Sequence, residues 1–74
     1  MKVTLRFSRG TAAERADVID RLMGCVLLQK ELPSVRFVIG GFYFDTERSP
    51  MLLLVDLEKE GFHFDDFDSI KFDH

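Results

Sequence analysis

The 74-residue chain holds one cysteine, two prolines and no long apolar run. With one cysteine there is no internal disulfide, and Cys25, inside the apolar stretch MGCVLL at residues 23–28, is expected to be a small buried hydrophobe in a reducing compartment. Scarce proline with a hydrophobic fraction of 46% argues against a disordered tail. The longest apolar runs, Met23 to Leu28 and Met51 to Val55, fall short of the roughly 18 to 20 residues that span a bilayer. The start, MKVTLRFSRG, alternates and carries charge where a signal peptide has a continuous apolar segment. The expectation is one soluble, cytoplasmic domain over residues 1–74 with no membrane partner, because so short a chain cannot be split into two cores.

What is present is charge, unevenly placed. Residues 1–36 hold seven Lys or Arg against four acids, whereas residues 37–74 hold three basic residues against nine acids. The acids of the second half are richest in its last stretch, GFHFDDFDSIKFDH, at residues 61–74. A sign change of this kind points to an acidic, partner-facing surface in the second half.

Along the chain, Val3, Leu5 and Phe7 alternate with Lys2, Thr4, Arg6 and Ser8, the period-two pattern of a strand, which Arg9 and Gly10 end. TAAE at residues 11–14 is a capping box that starts a helix. Its apolar positions are Ala12, Ala16, Ile19, Met23, Val26 and Ala13, Leu22, Leu27, and Pro33 places its end near Lys30 or Glu31. Residues 34–45, SVRFVIGGFYFD, read as a long second strand with a bulge or bend at Gly40-Gly41. DTERSP is then a turn, and MLLLVDL at residues 51–57 a third strand in a hairpin with the second. An apolar strand of that kind is covered on both faces, so the second face must be closed by the C-terminal phenylalanines, a second copy of the chain or a partner. The last segment, DDFDSIKF, reads either as a short helical turn or as a fourth strand. The expected fold is α+β, one helix on a small mostly antiparallel sheet in the order β-α-β-β-β, with β-α-β-β-α-β, a reduced ferredoxin-like arrangement, as the alternative.

The residues that carry chemistry do not form a catalytic pattern. His63, Asp65, Asp66, Asp68, Asp73 and His74 are of metal-ligating type, but they lack the Gly and terminal Glu of a calcium loop and the Cys/His spacing of a zinc site. The competing reading has Phe62, Phe64, Phe67 and Phe72 filling the core and the aspartates facing water. No cofactor, metal or enzymatic activity is expected. Ser34 and Ser49 adjoin prolines without a nearby His, and a small one-helix domain has little room for an enclosed substrate. Lys2, Arg6 and Arg9 on or after the first strand have the charge to meet phosphates. The outward strand positions are expected to lack stacking aromatics, and a pI of about 5.2 is opposite to the usual basic footprint. Direct nucleic-acid binding is therefore not expected, and these cations read as solvated surface.

There remains the acidic half, with Asp65, Asp66, Asp68, Glu47, Asp56, Glu58 and Glu60 as candidate contacts. Closely spaced carboxylates present a charge density like that of a phosphate backbone and steer toward a Lys/Arg-lined groove on a nucleic-acid-binding protein. The alternative is that they keep a Phe-rich chain soluble.

With a helix beginning TAAERAD and an acidic-aromatic end in FHFDDFDSIKFD, the chain resembles the small phage-encoded anti-CRISPR proteins in size, build and acidity. That group shares no motif, so no residue role is carried over. The resemblance implies a non-enzymatic inhibitor, acting in the bacterial host cytoplasm, that binds a CRISPR effector subunit and occludes its nucleic-acid site, with the acidic surface as a DNA mimic. Bacterial immunity proteins and antitoxins share the size and acidity, and a homodimer that hides the open sheet face is the structural alternative.

Overall fold

The computed structural model describes every residue except Ser8 and Arg9, and Phe64 in its backbone alone. The expectations that Arg9 ends the first strand and meets phosphates, and that the Phe64 ring fills the core, lie outside the described residues.

Strand β1 (Lys2–Arg6) is followed by helix α1 (Ala12–Met23), strands β2 (Arg36–Val38) and β3 (Gly41–Asp45), helix α2 (Pro50–Lys59) and strand β4 (Ser69–Asp73). Short 3-10 turns at Leu32–Ser34 and Phe64–Asp66 precede β2 and β4. The strands form one antiparallel sheet in the order β2-β3-β1-β4. The class is α+β, and of the two expected orders it is the second, β-α-β-β-α-β, that the chain adopts.

Three local features decide that outcome. Thr11 caps α1 as the sequence indicates: the Glu14 amide donates to Thr11 Oγ1 at 3.2 Å, and the Thr11 amide to Glu14 Oε1 at 3.3 Å. The helix nevertheless stops at Met23, with Gly24 as its C-cap rather than Lys30 or Glu31. Glycine in a helix interior costs about 1 kcal/mol relative to alanine. The buried stripe of α1 is Val18 and Leu22, continued past the cap by Cys25 and Leu28, whereas Ala12, Ala16, Met23 and Val26 of the expected face are exposed.

Residues 34–45 do not form one long strand. The chain reverses at Ile39-Gly40, where Gly40 has φ +78°, and β2 and β3 pair as a tight hairpin. Gly41 then lies directly against β1, where a Cβ would run into the Leu5 carbonyl oxygen.

Residues 51–57, read from sequence as a third strand, belong to α2. Ser49 Oγ accepts from the Leu52 amide at 3.4 Å and Pro50 occupies the first helical turn. That pairing of cap and proline starts a helix, and the Met, Leu and Glu that follow are strong helix formers. The C-terminal segment resolves as both of its readings in turn, a 3-10 turn and then β4.

The core fills one side of the sheet. Val3, Leu5, Phe42 and Phe44 are fully buried beneath Leu22, Leu53 and Leu57 of the helices, with Phe62 and Phe67 completing the cluster. Phe42 and Phe44 rings lie 6.3 Å apart, near parallel. The other side carries Lys2, Thr4, Arg6, Tyr43 and Lys71, so it needs no apolar cover. The apolar second face inferred for residues 51–57 is instead the outward face of α2.

Candidate functional site

Helix α2 buries Leu53 and Leu57, one turn apart, and thereby turns Met51, Leu52 and Val55 to solvent. Met51 is 75% exposed and Leu52 59%. Met51, Val55 and Glu58 fall on one line of the helix at spacings of four and three, with Glu58 exposed at its end. Glu47, also exposed, precedes the helix cap. The apolar strip thus has an acid before it and an acid after it.

The segment after α1 extends this strip. The Leu27 amide donates to Glu60 Oε1 at 2.9 Å, and Arg48 donates to the Leu27 carbonyl while pairing with Asp56. Leu52, Asp56 and Glu60 follow one another at four-residue spacing, so these bonds hold Val26 and Leu27, both exposed, along the edge of α2. Together these residues make an exposed apolar area of the kind that marks a protein contact.

The seven acids named from sequence do not converge. Asp56, Glu60 and Asp66 serve the fold. Asp56 pairs with Arg48, and Glu60 holds Leu27. Asp66 accepts from the His63 amide at 3.0 Å and lies 3.4 Å from Arg21, which also pairs with Asp17 at 3.1 Å. Arg21 further donates to the Gly61 carbonyl and stacks over Phe62, so the charge of Asp66 is spent inside the molecule. Glu47, Glu58, Asp65 and Asp68 are exposed. Glu58 and Asp65 share a cleft with Phe62 and His63, whereas Glu47 lines a separate one with Lys30, Glu31 and Arg48.

Among the described residues no group of three or more His, Cys, Asp or Glu is placed to hold a metal ion. Cys25 is buried, its Sγ donating to the Arg21 carbonyl at 3.3 Å. Burial raises the thiol to about 11, reinforced by the negative charge of Glu60 and opposed by Arg21, so at neutral pH it is protonated. No described helix is long and apolar enough to cross a membrane. No family model, curated protein or solved structure matches the chain.

Sequence reasoning missed Met51, Leu52 and Val55 as surface because it placed them in a covered strand. The Ser49-Pro50 start was the signal that would have found them. It also missed Tyr43, which stands on the open sheet face.

Proposed function

We propose that the protein is a non-enzymatic protein-binding module whose contact is the outward strip of α2, and that it acts as an inhibitor of the anti-CRISPR kind. The supporting observation is the exposure of Met51, Leu52 and Val55 on a helix flanked by Glu47 and Glu58. An apolar centre with an acidic rim suits a partner surface that is apolar with a basic border, as on a nucleic-acid-binding subunit. The decoy role belongs to the exposed Glu47, Glu58 and Asp65, since Asp56, Glu60 and Asp66 are occupied within the fold.

The test is capture from nuclease-treated bacterial lysate with three baits: wild type, a Met51→Asp, Val55→Asp variant, and a Glu47→Gln, Glu58→Gln, Asp65→Asn variant. The reading expects a nucleic-acid-binding protein on the wild type, lost from the first variant and weakened on the second, the weakening being greatest at low salt. Each captured protein is then purified and its nucleic-acid binding measured with and without the inhibitor. Capture that is the same for all three baits contradicts the proposal.

A further inference from the structure

The sheet has one open face, and its side chains are set by the strand register. One row crosses all four strands: Arg36 on β2 faces Tyr43 on β3, Tyr43 faces Thr4 on β1, and Thr4 faces Lys71 on β4. Lys2 and Arg6 stand two residues to either side of Thr4 on the same face. With strands about 4.8 Å apart, the two cations that end the row are about 14 Å from each other. Four cations therefore surround a half-buried tyrosine and a threonine hydroxyl.

These cations are largely uncommitted. Arg21 and Arg48 each bind carboxylates, but among the described residues Lys2, Arg6 and Arg36 form no ion pair. Among the described residues the Arg6 and Arg36 guanidinium groups reach only backbone carbonyls. Lys71 lies 3.7 Å from Asp73, both exposed, and Lys2 Nζ is 4.4 Å from the centre of the Tyr43 ring. The acids on this face, Asp45 and Asp73, flank Lys2 at one end, leaving the centre and the Arg6 side positive. The face thus carries four of the ten basic residues and two of the thirteen acids. Its local sign is opposite to that of the chain. At physiological salt, charges more than about 8 Å away are largely screened, so acids on the helical side do not cancel it.

We infer that the open sheet face binds single-stranded nucleic acid, with a base stacked on Tyr43 and phosphates held by Arg36, Lys71, Lys2 and Arg6. An unpaired base offers the π-face that Tyr43 can stack on, and phosphates on either side of it meet cations. The Lys2 ammonium, on a flexible exposed side chain, moves from the ring to a phosphate as the base arrives. A duplex keeps its bases paired and stacked and offers Tyr43 no free base face, so it is expected to bind less tightly than a single strand. The area suits about two or three nucleotides. The expectation that outward strand positions lack an aromatic fails at Tyr43, and the acidic pI is met by the opposite local sign of this face. The face is opposite the helices, so a protein bound at α2 leaves it free.

The test is fluorescence anisotropy with labelled oligo-U and oligo-dT of about ten nucleotides, the same length in duplex form, and unlabelled heparin as competitor. Both single strands are expected to bind at about 50 mM salt and weaken toward 200 mM, a preference between them naming the sugar. Tyr43→Ala is expected to weaken binding about 5- to 100-fold, and Tyr43→Phe, which keeps the ring, by no more than about threefold. Arg36→Ala and Lys71→Ala should each flatten the log-log salt dependence by about 0.7. Circular dichroism confirms that each variant is folded. Absence of binding, duplex binding equal to single-strand binding, heparin competing equally against wild type and Tyr43→Ala, or a Tyr43→Ala affinity equal to wild type overturns the inference.

Discussion

Arg48 Nε lies 2.8 Å from the Glu31 carboxylate, which is 3% exposed and also accepts from Thr46 Oγ1 at 3.0 Å. The same guanidinium pairs with Asp56 on α2 and donates to the Leu27 carbonyl. One side chain thus ties the post-α1 loop, at Leu27 and Glu31, to α2 at Asp56. Arg48→Ala strands Glu31 as a buried, unpaired charge, and about 3 to 5 kcal/mol of stability is expected to be lost. Replacing Arg48 by Met together with Glu31→Leu should cost less than the single change, because it removes the stranded charge. Urea titration of the three proteins measures the difference.

The core makes a simpler claim. Phe44 is fully buried against Phe42, and Phe44→Ala is expected to destabilise by about 3 to 5 kcal/mol. Phe37, 54% exposed on the edge strand, should cost far less when truncated. Equal losses at the two positions, measured by denaturant titration, would mean that the core reaches the edge strand as fully as it does β3, contrary to the exposure of Phe37.

Cys25 provides a pH test. Its folded thiol titrates near 11 against an ordinary 9.0, so the folded state holds the proton more tightly than the unfolded chain. The contribution is intact below pH 9 and is lost as pH rises from about 9 to 11, where only the unfolded thiol ionises. Wild type is therefore expected to lose stability faster than Cys25→Ala across that window. Iodoacetamide at pH 8 should modify Cys25 only after denaturation.

Sequence and structure agree where the determinants are local. The Thr11–Glu14 capping box forms as read, and the alternation of Val3, Leu5 and Phe7 is buried as read, although β1 itself spans only Lys2–Arg6. The α2 segment was misread because a short apolar run has no period of its own, and only Ser49-Pro50 distinguishes helix from strand there. Ser49→Ala is accordingly expected to cost about 1 kcal/mol. The acids were illegible for a different reason. Arg21 and Asp66 are 45 residues apart, and nothing local marks Asp66 as paired while Asp65 beside it is exposed. Tyr43 was hidden by the position of the Gly40 turn, which fixes which ring of Phe42, Tyr43 and Phe44 faces outward.

The most direct test of the α2 strip as a contact surface is site-specific photo-crosslinking. A photoreactive phenylalanine analogue placed at Val55, and for comparison at the exposed Ala12 of α1, is irradiated in bacterial lysate. A discrete protein adduct at position 55, absent at position 12 and abolished by Met51→Asp, is the predicted result. Adducts that are the same at both positions, or none at position 55, would contradict it.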